Sequence, residues 1–118
     1  MRSSQNLSLH DSIVHARARE LRGEGNLVWA DVDGFPRPQE VFGYIPDIIT
    51  NGNRNIISEV ETSDTYNGQH TKDQLHAFDF ASNYLLEVVV PEPLYIAARE
   101  LILHVWGISV DLWRTFKG

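Results

Sequence analysis

The sequence of 118 residues contains no cysteine, which excludes disulfide frameworks, thiolate zinc sites and cysteine nucleophiles. It also has no apolar run close to the ~20 residues that cross a bilayer. Its first apolar stretch carries His10, Asp11 and Arg17, unlike the apolar core of a signal peptide. Glycine-rich phosphate loops and the His-Glu-x-x-His motif are missing as well. These absences lead us to expect one soluble, cytoplasmic globular domain with no membrane partner.

Basic residues are few, with 10 Lys and Arg against 16 Asp and Glu, for a net charge of −6. A DNA-binding face normally collects Lys and Arg, so the total charge argues against tight binding of nucleic acid. The acidity is concentrated in residues 31–64, which hold two Arg against seven acids. This distribution suits a cation site, although an acidic loop in contact with solvent gives the same pattern.

Apolar periodicity and turn signals predict three helices and five strands in the order αβββαβαβ. Alternation of helices and strands in the second half favours an α/β fold with a mixed sheet flanked by helices. We expect residues 1–8, rich in Ser and Asn, to be flexible, and residues 9–118 to form a single domain. The predicted helices cover 9–21, 71–82 and 93–106, and the predicted strands cover 27–32, 44–50, 55–61, 84–90 and 108–114.

Three acids lie in otherwise apolar strands: Asp47 in the second, and Glu59 and Glu61 in the third. Side chains alternate between the faces of a strand, so the two glutamates point the same way. The turn near residues 51–54 can bring Asp47 beside them. Three converging carboxylates repel one another, and Mg²⁺ or Mn²⁺ would relieve the repulsion through hard oxygen ligands. The alternative is that Asp47 ends an edge strand while the glutamates face solvent.

The register of this hairpin decides between the two interpretations. Opposed residues of an antiparallel pair have position numbers with a constant sum, and Asp47 shares a face with Glu59 and Glu61 only if that sum is even. A two-residue turn at Asn51–Gly52, which the Asn-Gly sequence ordinarily favours, gives an odd sum of 103 and places Asp47 on the opposite face from the glutamates. A five-residue loop over 51–55 gives 106 and sets Asp47 opposite Glu59. We predict an even sum, with 106 preferred.

Pro46–Asp47, a short turn and then Glu59-Val60-Glu61 on the next strand resemble the PD-(D/E)xK nuclease superfamily. The predicted element order matches that family's core. The segment GYIPDIIT at positions 43–50 is especially similar to the corresponding segment of archaeal Holliday-junction resolvases. The resemblance covers about residues 9–114, and its specific part is confined to 43–61.

The resemblance implies a restriction-endonuclease-like core and a Mg²⁺- or Mn²⁺-dependent DNA endonuclease, with branched DNA as the substrate of the most similar members. By position, Asp47 and Glu59 match the family's metal-binding acids. Glu61 stands where the family usually has lysine, and would bind metal or act as the base toward water. Lys72 on the next helix is a candidate for the missing cation, although a solvated lysine on a polar helix face is the simpler explanation. Gln74 matches a glutamine that family members place on this helix.

The sequence leaves two points open: which residue of the first helix belongs to the site, and whether the domain is catalytic. The first helix usually contributes an acid to this family's site, and Asp11 and Glu20 are the candidates, with His10 and His15 nearby. Glu61 in place of lysine, together with the net charge, supports a rival: a catalytically silent domain of the same fold that serves as an interaction or assembly module.

The helix predicted over 93–106 carries apolar residues beyond one inward stripe, including Ile96, Leu103 and Trp106. In so small a domain the extra apolar surface suggests a twofold homodimer. Trp29 and Trp113 lie in predicted strands, so we expect the tryptophans to pack in the core rather than to stack on bases.

Overall fold

The computed structural model describes residues 4–117 and contains three helical segments and five strands in the predicted order αβββαβαβ. The third helical segment has three parts: 3₁₀ over Glu92–Leu94, α-helical over Tyr95–Arg99 (α3) and π-helical over Glu100–Val105. The other elements are α1 Ser4–Gly23, β1 Leu27–Ala30, β2 Ile48–Asn51, β3 Ile56–Val60, α2 Gln69–Asp79, β4 Leu85–Pro91 and β5 Leu112–Phe116.

The five strands form one mixed sheet in the order β1-β2-β3-β4-β5. Strands β1, β2 and β3 are antiparallel neighbours, whereas β3, β4 and β5 run parallel. The two parallel connections step across the sheet in the same direction, so their helices are expected on the same face. The α/β class with a mixed sheet flanked by helices is confirmed.

Two apolar cores fill the spaces on either side of the sheet. One lies under α1 and includes Ile13, Leu21 and Ile48, while the other lies under α2 and α3 and includes Leu75 and Ile102. Strand β4 contributes to both cores, and Leu86–Val90 is buried throughout, as expected of a run that is apolar except at Glu87. Within residues 4–117, no helix has the length and apolarity to cross a bilayer.

The first helix is longer than predicted. It begins at Ser4, so residues 4–8 are helical, and residues 1–3 lie outside the described part. The segment contains neither Gly nor Pro, and once a helix is nucleated each added residue gains a hydrogen bond.

A buried ion pair fixes α1 on the sheet. The Nε and Nη2 atoms of Arg17 donate to the two carboxylate oxygens of Glu87 on β4, at 3.0 and 2.9 Å, and Ser58 Oγ donates to the same carboxylate at 2.7 Å. All three residues are buried. Burial alone would lower the pKa of Arg17, but the hydrogen bonds and charge of Glu87 raise it above its ordinary value. The guanidinium therefore stays charged inside the fold.

Candidate functional site

The register of β2 and β3 brings Asp47 and Glu59 together. Ile48 lies opposite Ser58 and Ile49 opposite Ile57, which gives the predicted sum of 106 and puts Asp47 across from Glu59. The Asn-Gly pair does not form a two-residue turn, because Thr50 Oγ1 closes a wider loop. That hydroxyl donates to the Arg54 carbonyl at 2.7 Å and accepts from the Ile56 N–H at 3.0 Å.

Reciprocal hydrogen bonds lock the two acids to each other's strand. The Asp47 N–H donates to Glu59 Oε2 at 2.6 Å, and the Val60 N–H donates to Asp47 Oδ2 at 2.8 Å. Each carboxylate is thus held by the backbone of the neighbouring strand. The pair is rigid because the sheet itself positions both partners.

Glu59 is 1% exposed and faces two other acids. Burial raises its pKa well above the ordinary value, and the negative charges of Asp47 and Glu61 raise it further, against the opposing effect of the Asp47 N–H. The Asp47 side chain is 15% exposed, so it forms the more accessible part of the pair. The site therefore brings negative charges together at a place where little water can solvate them.

Glu61 lies just past the end of β3 and is 3% exposed. Its N–H donates to the Val89 carbonyl at 2.9 Å, which continues the pairing with β4. Thr71 Oγ1 on α2 donates to Glu61 Oε1 at 3.2 Å. Glu61 is therefore a buried, hydrogen-bonded part of the cluster, and it does not face solvent.

The first helix contributes to the site not a candidate acid but His10, which the sequence places beside those acids. Its Nε2 lies 3.1 Å from Asp47 Oδ2 and its Nδ1 lies 3.0 Å from Asp11 Oδ1. The candidate Asp11 thus reaches the cluster only through His10, and the candidate Glu20 pairs with Arg17 at 3.3 Å instead. The signal was present, because His10 stands three and four residues before Ile13 and Val14, on the buried stripe of α1.

The two residues proposed on α2 are not in contact with the acids. Gln74 Nε2 donates to the carbonyl of Ile45, two residues before Asp47, at a long 3.4 Å. Lys72 is half-buried and, within residues 4–117, forms no ion pair within 4 Å. In this geometry Gln74 supports the segment that leads to Asp47, and Lys72 forms no ion pair with the acids.

A cavity of about 650 Å³ opens between α1 and the loop after β1. Its wall continues the sheet, because the Asp31 N–H donates to the Asp47 carbonyl at 2.9 Å. Arg37 stands at its edge with Nε 3.7 Å from Asp31, and Arg22 lies over the Phe35 ring at 4.5 Å. The lining includes Asp11, His15, Asp31, Phe35 and Arg37.

The side chains at this site supply only part of the ligand set that Mg²⁺ usually has. Carboxylate oxygens are its preferred protein ligands, and Asp47 and Glu59 are held side by side. In the part of the chain that the structure describes, however, no group of three or more His, Asp or Glu side chains is arranged to hold a metal ion. Mg²⁺ commonly uses one or two carboxylates and takes its remaining ligands from water and substrate phosphate. The paired acids fit that smaller set.

Comparisons with protein-family models, with curated proteins and with solved structures found no match for this chain. The similarity of positions 43–61 to the PD-(D/E)xK pattern therefore remains a resemblance. The geometry of the acids carries the functional argument.

Proposed function

We propose that this protein is a Mg²⁺-dependent DNA endonuclease of the PD-(D/E)xK type with a restriction-endonuclease-like core. The observation that carries the proposal is the register of β2 and β3, together with the hydrogen bonds that join Asp47, the residue before β2, to Glu59 and Val60. A one-residue slip would send the acids to opposite faces and remove the site. The element order and the buried Glu61 agree with the same function.

Asp47 and Glu59 would hold the metal ion, with Mn²⁺ as the other suitable cation. Bound there, such an ion supplies an activated water and stabilises charge on a phosphodiester. Burial raises the pKa of Glu59 and the negative charges of Asp47 and Glu61 raise it further, and this repulsion is a reason for the pair to bind a cation. Glu61 would complete the metal site or take the proton of the attacking water, with Thr71 orienting one of its oxygens.

His10 would act as the positioning residue of Asp47. Its Nε2 and the Val60 N–H both contact Oδ2, at 3.1 and 2.8 Å, which leaves Oδ1 as the Asp47 oxygen to present to a metal. The hydrogen bond between His10 and Asp11 fixes the ring from its other side. This arrangement gives the first helix a role in the site without a carboxylate of its own.

DNA would approach across the 650 Å³ cavity, which Arg37 lines together with Asp11, Asp31 and Asp33, while Arg22 lies over the ring of the lining residue Phe35. Two arginines give weak, salt-sensitive binding, and two copies of the chain would double the contacts. Ile96 on α3 is 74% exposed, so the proposed homodimer would use the helical segment 92–105. A twofold pair would suit a substrate with two equivalent strands, such as branched DNA. DNA as the substrate also agrees with the cytoplasmic location expected from the sequence.

The second candidate is a catalytically silent domain of the same fold that serves assembly. Two observations favour it: Lys72 forms no ion pair with the acids, and His10 already places an imidazole on Asp47. In such a domain the acid cluster would be a structural remnant, and DNA would not be cut under any metal condition.

The test is cleavage of labelled branched, duplex and single-stranded DNA in Mg²⁺, Mn²⁺ or chelator. We expect metal-dependent cleavage that is lost in Asp47→Asn and retained in Asp79→Asn, a matched change on the exposed end of α2. Circular dichroism spectra should show the same fold in both variants. Cleavage that persists unchanged in Asp47→Asn would remove Asp47 from the mechanism, and its absence in every condition would favour the silent domain.

A further inference from the structure

The two edge strands of the sheet, β1 and β5, differ in what covers their outer backbone groups. On β1 the Ala30 N–H donates to the Pro36 carbonyl at 2.9 Å, so the loop after this strand closes that edge. β5 pairs with β4 alone, and no other described strand lies beyond it. An open edge with unpaired N–H and C=O groups is a template for a further strand.

The backbone groups that point to this open edge belong to Trp113 and Thr115. On β4 the Leu85 N–H and the Val89 carbonyl bond to residues at the two ends of β3, so the alternate residues of β4, among them Val88, face β5. Val88 lies opposite Trp113, and in a parallel pair it bonds to positions 112 and 114 on either side of that partner. The N–H and C=O groups of Trp113 and Thr115 therefore point outward. Within residues 4–117, no backbone group from beyond the sheet bonds to them.

The open edge is also apolar. Leu112, Trp113 and Phe116 are three of the five residues of β5, and each is only half-buried. Leu112 and Phe116 pack toward the core under α1, whereas Trp113 packs toward the core on the other face. Charged side chains usually protect an edge strand from pairing, and Arg114 is the only one within β5.

We propose that β5 pairs antiparallel with β5 of a second copy of the chain, so that two five-stranded sheets become one of ten strands. The twofold axis passes beside Arg114 and sets Trp113 opposite the partner's Thr115. In this register each Leu112 lies across from the partner's Phe116, which gives two apolar cross-strand pairs on the α1 face. A shift by two residues in either direction would set Leu112 or Phe116 against the partner's Arg114 instead. The inference does not depend on the nuclease function, and it gives the proposed homodimer its central contact.

The charges along β5 suit the same register. Each Lys117 comes opposite the partner's Asp111, a favourable cross-strand pair of exposed, opposite charges. Asp111 Oδ2 accepts a β4 N–H at 2.8 Å, and Oδ1 stays available to the ammonium. The two copies of Arg114 meet at the axis, but each guanidinium lies 3.6 Å from the Glu20 carboxylate of its own chain. Two ion pairs, and not two bare cations, therefore meet there.

The same pairing brings two helices together. The Tyr95 and Trp113 rings are 5.9 Å apart and α3 also contacts β4, so α3 lies over β4 and β5. A twofold axis perpendicular to the sheet keeps both copies of α3 on one face. With strands about 4.8 Å apart, the two helix axes would lie about 10 Å apart, close to the usual packing distance of helices. The exposed Ile96 lies on α3, so helix packing adds apolar area that the short strand edge lacks.

Sedimentation equilibrium with two substitutions at one position tests the strand pairing. Thr115→Pro removes an N–H that points to the open edge and takes none from the β4 ladder, so the fold should survive. We expect a wild-type dimer, a monomeric Thr115→Pro protein with an unchanged circular dichroism spectrum, and a dimeric Thr115→Ala protein, which keeps the N–H. A dimeric Thr115→Pro protein, or a wild-type chain that is monomeric at high concentration, would overturn the proposal.

A cross-linking measurement does not depend on the proline variant folding. The chain has no cysteine, so a disulfide forms only at an introduced site. Arg114→Cys places one thiol of each copy at the axis, where opposed Cα atoms are about 4.5 Å apart and within the range of a disulfide. Lys117→Cys is the control: the lysine side chain is 84% exposed, and the two copies of position 117 would be about 20 Å apart. In a glutathione buffer Arg114→Cys should form the covalent dimer about tenfold faster than Lys117→Cys, and equal rates would overturn the proposal.

The failures of this proposal and of the proposed function are distinguishable. A dimer that Ile96→Glu dissociates and Thr115→Pro leaves intact would support a homodimer through residues 92–105 and refute the β5 pairing. A dimer that Thr115→Pro dissociates supports the β5 pairing even where DNA is not cut under any metal condition, because dimerisation is measured without DNA.

Discussion

Replacing Glu59 by Gln should stabilise the protein at neutral pH. The pKa of Glu59 is raised in the folded chain by burial and then by the charges of Asp47 and Glu61. Between the ordinary pKa of a glutamate and this raised value, the folded chain holds a proton that the unfolded chain releases. Raising the pH through that window therefore favours unfolding. Glu59→Gln removes the ionisable group and with it this dependence.

The structure sets the size of the effect. A glutamine oxygen can still accept the Asp47 N–H that Glu59 now accepts at 2.6 Å, so the substitution weakens one charge-assisted bond at a cost of about 1 kcal/mol. Against this, a buried charge without a partner cation costs several kcal/mol. We expect a net gain of about 1–2 kcal/mol at pH 7.5, within the range of other stabilising substitutions. For a chain of this length that corresponds to a rise in Tm of about 4–8 °C.

The assay is thermal and guanidinium unfolding followed by circular dichroism in chelator, at pH 5 and pH 7.5. The gain should shrink at pH 5, where Glu59 of the wild-type chain carries its proton. Glu40→Gln, on an exposed side chain, serves as the control and should change stability little at either pH. With Mg²⁺ at about 100 times its Kd, the free energy of unfolding of the wild-type chain should rise by about 2.7 kcal/mol. The wild-type chain should then be more stable than Glu59→Gln. A Glu59→Gln protein that is less stable than wild type at pH 7.5, or equally affected at both pH values, would refute this reasoning.

Three other changes test the rest of the fold. Arg17→Met should cost about 3–5 kcal/mol in urea unfolding because it leaves Glu87 buried without its cation, whereas the exposed Arg19→Met should be nearly neutral; a small loss in Arg17→Met would mean that water reaches Glu87. Gly52 has φ +125° in the five-residue loop, so Gly52→Ala should lower the free energy of unfolding by about 1–3 kcal/mol, and an unchanged Tm would argue for a different loop. Ile96→Glu should dissociate the proposed homodimer in sedimentation equilibrium, and a wild-type chain that is monomeric at high concentration would contradict that dimer.

The element order can be predicted from local sequence pattern, whereas the hairpin register follows from the requirement that Asp47, Glu59 and Glu61 share one face of the sheet. The apolar run over 84–90 indicates a strand covered on both faces, and the parity of positions 47, 59 and 61 restricts the loop to an odd length. Neither the Asn-Gly preference for a tight turn nor strand propensity alone gives the observed sum of 106. The Thr50 hydroxyl favours the wider loop through two hydrogen bonds that a tight turn would lose.

Other features depend on contacts between distant elements. His10 reaches Asp47, 37 positions away, and Arg17 reaches Glu87, 70 positions away. Both basic residues lie on the α1 stripe that also buries Ile13 and Leu21, a place where periodicity predicts apolar side chains. A buried polar residue in such a stripe indicates a partner on the sheet, but its identity depends on how the helix packs on the sheet.

The central claim is that Asp47 and Glu59 are held together to bind a divalent cation. Electron paramagnetic resonance of free Mn²⁺, titrated into the protein at pH 7.5, measures this binding without reference to DNA or cleavage. We predict saturable binding by the wild-type chain, loss of at least tenfold in affinity for Asp47→Asn and for Glu59→Gln, and no change for Asp79→Asn. Equal binding by the wild-type and Asp47→Asn proteins, or no binding by the wild-type chain at millimolar Mn²⁺, would contradict the claim.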